Sequence, residues 1–185
     1  EPGCVRRGLE IIVESMAHFI HGCIDRGVDG FYASTQGGEQ GRLPEGVFEK
    51  YVKPTDLAVW NMFTEQTTCN VLHVCDYEAP YASFEAVRDY PGHIVSAPNE
   101  VGGKPISGRE IADFFGRPFL GGMERLGVIS TGPADAVSSA ARQALETGPE
   151  AMVLGADCTL AASTDWANIA AATWVAHEWL RGERG

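Results

Sequence analysis

No run of about 18 apolar residues interrupts this 185-residue sequence, so nothing in it reads as a membrane-spanning helix. Basic residues are scarce: 14 Lys and Arg stand against 25 Asp and Glu, for a net charge of −11. They gather into no patch or stripe, which argues against partners with anionic surfaces, nucleic acid and acidic lipid alike. No signal peptide is visible, and the opening Glu1-Pro2-Gly3 is not an initiator, so an N-terminal part is expected to precede it. Cysteine occurs five times, at positions 4, 23, 69, 75 and 158. That odd, irregular set excludes a disulfide framework and implies a reducing, cytoplasmic setting. No repeat, low-complexity tract or linker divides the chain, so residues 1–185 are expected to form a single domain. Hydrophobic residues make up 44% and charged residues 21%, which suits one packed core rather than a disordered chain.

What is present alternates. Apolar residues at helical spacing (Val5, Leu9, Ile12, Val13, Met16, Phe19, Ile20, Ile24) predict a helix over 4–26, stopped by Gly27. A strand is expected over 28–34, then a polar, glycine-rich loop from Thr35 to Gly38. A second helix follows over 45–65, kinked or split by Pro54. A buried strand runs through Val71, Leu72 and Val74. Beyond it come a short helix over 81–89, a strand over 93–97 and a loop over 98–104. Ser107 and Glu110 fit a capping box for a helix reaching Phe115. Next are a strand over 119–121 and a helix from Pro133, in its first turn, to Glu146. A strand over 151–157 and a last helix over 164–181 complete the chain, the latter carrying Trp166, Ile169, Ala170, Thr173, Trp174 and His177 along one side. Five strand–helix units imply an α/β fold with parallel strands covered by helices. Because a closed eightfold barrel takes about 250 residues, the expected architecture is the C-terminal part of a TIM barrel, with about five parallel strands. Its end strands need covering, by self-association or by the missing N-terminal part.

In such a barrel, chemistry sits at the C-terminal ends of the strands. His73 and Cys75 lie two apart on one strand, hence on one face, and an imidazole with a thiolate makes half of a zinc site. The alternative is a core histidine beside a buried free cysteine. Cys158, after the last strand, would complete a His-Cys-Cys set with one open position, the pattern of catalytic zinc. Ser34 and Gln36 close the first strand, where substrate contact and an ordinary turn are both consistent. Ser96 and Asn99 close the third strand, Glu124 the fourth and Asp157 the fifth. Glu124 also suits a solvated loop, and Asn168 a helix side chain bonded to a neighbouring loop. Cys4, Cys23 and Cys69 receive no role. His18, His21, His93 and His177 read as structural or surface residues.

Four stretches carry a resemblance: Gly30-Phe31-Tyr32-Ala33-Ser34-Thr35-Gln36-Gly37-Gly38, Val71-Leu72-His73-Val74-Cys75, Gly121-Gly122-Met123-Glu124, and Val153-Leu154-Gly155-Ala156-Asp157-Cys158-Thr159-Leu160 with Asn168-Ile169. The chain resembles the C-terminal part of the uroporphyrinogen decarboxylase superfamily, nearest in motif to its zinc-dependent methylcobalamin:coenzyme M methyltransferases. That resemblance implies His73, Cys75 and Cys158 as zinc ligands; among the strand-end residues, Ser34, Gln36 and Glu124 are the catalytic candidates, and Ser34, Asn99 and Asp157 the candidate cofactor contacts. It implies an enzyme that moves a methyl group from a corrinoid, free or protein-borne, to a small thiol. Asp76 departs from the glycine usual after that cysteine. A uroporphyrinogen-decarboxylase-like lyase acting on a tetrapyrrole is the alternative, but the Gly-His-Gly of true decarboxylases is absent near Asp157, and Ser34 is the one match to them. A non-catalytic fragment or binding module is the third reading.

Overall fold

The computed structural model describes residues 1–182, with side chains to Leu180. Seven strands and six helices run in the order α1 (Pro2–Ile24), β1 (Tyr32–Thr35), α2 (Lys53–Trp60), β2 (Val71–Val74), β3 (Ile94–Ser96), β4 (Glu100–Val101), β5 (Lys104–Pro105), α3 (Gly108–Phe115), β6 (Phe119–Met123), α4 (Val128–Thr131), α5 (Ala134–Thr147), β7 (Met152–Ala156) and α6 (Trp166–Gly182). Five parallel strands form one sheet in the order β1-β2-β3-β6-β7, alternating with helices as in part of a TIM barrel; β4 and β5 pair separately. No helix among the described residues is long and apolar enough to cross a membrane. The chain clusters into two compact units, Glu1–Ile94 and Val95–Gly185, and the division falls inside β3.

In the first unit, α1 carries Pro2 in its first turn, where the missing N–H leaves no bond unmade. β1 and β2 pair in parallel with Ser34 opposite His73. The backbone at 28–31 is not regular strand. Its groups are taken instead by Thr68 and Cys69, which donate to Asp29 O, by the Asn70 side chain on Phe31 N, and by Val71 N on Phe31 O. The expected helix over 45–65 is a π-helical turn, Phe48–Val52, running into α2, with Pro54 in the first turn of α2. Pro54 therefore marks a change of helix geometry and not a gap.

The helix expected over 81–89 is absent apart from one 3₁₀ turn, Glu85–Val87. Tyr81, Phe84, Val87 and Tyr90 are all buried. Their three-residue spacing puts them on one side of a 3₁₀-like path as well as of an α-helix. Behind them, Tyr90 OH and Thr35 Oγ1 both donate to Asp56 Oδ2, at 2.9 and 2.8 Å. Burial pushes the Asp56 carboxyl above the ordinary carboxylate range, and these two bonds pull it partly back.

The folded state thus holds the Asp56 proton more tightly than the unfolded chain does. Stability from this group is present below the ordinary carboxylate value and is lost as pH rises through the raised one. An asparagine oxygen can accept the same two bonds without charge. Asp56→Asn is therefore expected to be the more stable protein at pH 7, with its advantage shrinking towards pH 4 in urea titrations. A wild-type protein that gains on the variant as pH rises would contradict this.

In the second unit, residues expected to form a loop over 98–104 make the β4–β5 hairpin instead. Gly102 and Gly103 hold positive φ of 60° and 72° at its turn, a geometry that suits glycine. The Ser107–Glu110 capping box is present at the start of α3, and Gly116 closes that helix in the left-handed region. Pro133 stands one position earlier than expected, as the N-cap of α5, and the short α4 was not foreseen. The core is Met123, Ile129, Val137, Ala141, Ala172 and Val175.

The side of the last helix that carries Trp166 and Trp174 is not the side that packs. Trp166 and Trp174 are 80% and 63% exposed, whereas Asn168, Ala172 and Val175 are buried. Small residues at 168, 172 and 175 let α6 approach closely, and two indoles would hold it away. Asn168 Nδ2 donates to Ile129 O at 3.1 Å and Gly132 O at 2.8 Å, tying α6 to the end of α4 as the sequence suggested. Truncating it leaves two carbonyls without that donor, so Asn168→Ala should cost about 2 kcal/mol. Urea unfolding at unchanged slope is the measurement; a loss below about 0.5 kcal/mol, the scale of an ordinary surface change, would refute the tie.

Candidate metal centre

His73 near the end of β2 and Cys75 directly after it set the site. The side chains of β2 alternate, so Leu72 and Val74 enter the core while His73 and Cys75 share the other face. Ser34 is opposite His73 on the paired strand, and Tyr32, two residues before Ser34, lies against the imidazole with ring centroids 5.2 Å apart. Tyr32 was not singled out from sequence. The available signal was its position, on the same alternating face of β1 as Ser34. Gln36 Nε2 donates to Cys75 Sγ at 3.1 Å.

The loop after β1 is anchored by a buried glutamate. Glu39 accepts a bond from Gly37 N, and its other oxygen is 4.0 Å from Arg42 Nε. Tyr81 is fully buried beneath this loop. Burial, and next the neighbouring Glu39, push its phenol above the ordinary value.

Cys158 follows β7 and is buried, as are His73 and Cys75; none of the three is more than 7% exposed. Two soft sulfurs and an imidazole are donors that suit zinc. Cys4 and Cys69 are exposed.

The remaining candidates are held by local contacts, buried, or exposed. Asp157 Oδ1 accepts from Arg125 N at 2.8 Å, and Asn99 Nδ2 donates to Asp157 Oδ2 at 3.4 Å, so these two hold each other and the loop after β6. Ser96 is fully buried at the end of β3. Glu124 is exposed, in a turn closed by Gly127 N on Glu124 O. Ser34 is exposed at the end of β1. His93 Nδ1 accepts from Asn70 N at 2.9 Å and serves the strand start.

Parallel strands alternating with helices, and a strand that places His and Cys on one face, define an α/β fold of partial TIM-barrel type. Among solved structures, a methyltransferase from Methanosarcina mazei matches it with a TM-score of 0.68 over 92% of this chain, at 18% identity. The chain spans 48% of that protein's length, and the likeness concerns the fold. No protein-family model and no curated protein matches the sequence.

Proposed function

We propose that this chain is the metal-holding part of a methyl-transferring enzyme, in which His73, Cys75 and Cys158 hold a zinc ion. The observation that carries the reading is the buried pair His73 and Cys75 on one face at the end of β2, with Cys158 a further buried cysteine just after β7. The donor set leaves one position for an acceptor, as in catalytic zinc sites. When bound, such an ion would lower the pKa of a coordinating thiol so far that its proton is lost to solvent. The chain's residues do the rest. Leu72 and Val74 fix β2 in the core and so set the direction of His73 and Cys75. Tyr32 lies against the imidazole, and burial keeps bulk water from the sulfurs.

In the proposed reaction the acceptor thiol gives up its proton and its sulfur forms a bond to the methyl carbon. The donor, a corrinoid free or carried by a protein, keeps the electron pair of the broken bond. A complete barrel is proposed as the working form, with the ends of the sheet at β1 and β7 covered by further barrel segments or by a second copy. Support comes from the sheet order and from the chain's span of about half the methyltransferase it matches.

The test is elemental analysis of protein purified without chelator, followed by methyl transfer from methylcobalamin to a small thiol, read from the corrinoid spectrum. About one zinc per chain, with transfer once the barrel is complete, is expected. Protein that neither retains nor takes up zinc would overturn the reading.

A further inference from the structure

Gln36 is exposed, yet its amide donates to the sulfur of a buried cysteine, Cys75 Sγ, at 3.1 Å. The loop that carries it is bound to the loop after β2 at further points. Gln40 N donates to Pro80 O at 2.9 Å, and Arg42 pairs with Glu78 at 3.1 Å. Gly38 lies so near Tyr81 that a Cβ there would stand 3.1 Å from its ring. Glu39, 4% exposed, turns back onto Gly37 N. These ties surround Gln36 in sequence and fix where its side chain starts. A free surface glutamine has no such constraint.

We infer that Gln36 is a positioning residue for Cys75: its N–H fixes the direction of the sulfur and draws charge from it. This rests on the reading of Cys75 as a metal ligand. A hydrogen bond to a ligating group tunes both its orientation and its donor strength. A sulfur that gives less charge to a cation leaves that cation the stronger acid towards a thiol in the open position. Gln36 would then act on acceptor activation without touching the acceptor.

The experiment uses the full chain with cobalt(II) in place of zinc and reads the sulfur-to-cobalt charge-transfer band. Gln36→Met keeps the length and removes the donor; Gln36→Glu replaces it with an acceptor. Both variants are expected to move the band to lower energy, because a sulfur without the N–H gives up its electron more readily. Their urea midpoints should stay at the wild-type value. A wild-type chain with no sulfur-to-cobalt band would remove the ligand reading, and this inference with it. A wild-type band that stays in place in both variants would overturn the role of Gln36 alone. A band that moves only as far as the protein unfolds would assign Gln36 to the loop's stability and likewise overturn it.

Discussion

Cys75→Ser is expected to weaken zinc binding by more than about a hundredfold, since loss of a mere hydrogen-bond partner to a ligand already costs about 10–100-fold. The argument runs from burial to softness. Cys75 and Cys158 are 5% and 7% exposed and His73 is 4% exposed, so little water is present to replace a lost ligand. Serine at neutral pH offers a neutral hydroxyl where cysteine offers a thiolate, and zinc prefers the softer, charged donor. Cys158→Ser should cost a similar factor, and His73→Ala should also abolish tight binding. Cys4→Ser, on the exposed side of α1, is the control and should bind as wild type does. Competition against a chromophoric chelator measures all four. Full zinc occupancy in a triple variant lacking His73, Cys75 and Cys158 would end the metal assignment.

Gly30→Ala should be the most damaging single methyl in the chain's first unit. A Cβ at Gly30 would stand 1.6 Å from Cys69 O and 2.4 Å from its carbonyl carbon. Both are backbone atoms, and neither can rotate away. They sit where the two strands begin: Thr68 N and Cys69 N donate to Asp29 O at 2.9 and 3.0 Å, and Val71 N to Phe31 O at 2.8 Å. Making room must break some of these bonds. Overpacking against side chains costs about 1–3 kcal/mol, and an unyielding backbone should raise that to about 3 kcal/mol or more, against a total of roughly 5–15 kcal/mol. At this chain length that is a fall of roughly 6–12 °C in melting temperature. Metal affinity should fall with it although no ligand is touched, because β2 carries His73 and Cys75. A variant melting within about 2 °C of wild type, the small end of that scale, would show that the strands part more easily than this geometry allows.

Some of this was legible in the sequence because its physics is local. His73 and Cys75 could be assigned to one face from a period of two, since any strand imposes it. Ser107 and Glu110 announced a helix start through bonds that span three residues. The sites that needed knowledge of a neighbour were harder. Tyr32 matters because β1 pairs with β2 in the register that sets Ser34 opposite His73, and no feature of Tyr32 itself records that register. Trp166 and Trp174 looked like core because indoles are large and apolar. Which side of α6 packs was decided instead by how closely Asn168, Ala172 and Val175 allow it to approach. The spacing of Tyr81, Phe84, Val87 and Tyr90 was real, but a three-residue period does not distinguish a helix from an irregular buried path. The β4–β5 hairpin had its turn signal in Gly102-Gly103, but of the four residues that pair around it only Val101 is a strand former.

The π-helical turn at Phe48–Val52 also counts residues. A π turn accommodates one residue more than an α turn, so everything after it is out of phase, by about 100° around the axis, with an uninterrupted α-helix. Asp56 meets Thr35 and Tyr90 in that shifted phase. Deleting a single residue within 48–52 would let the segment relax into plain α-helix, and would swing the Asp56 carboxyl a quarter turn or more away from both hydroxyls. The chain's length at this point is therefore part of its specification: an indel here, though far from any ligand, would unfasten the end of β1 from α2.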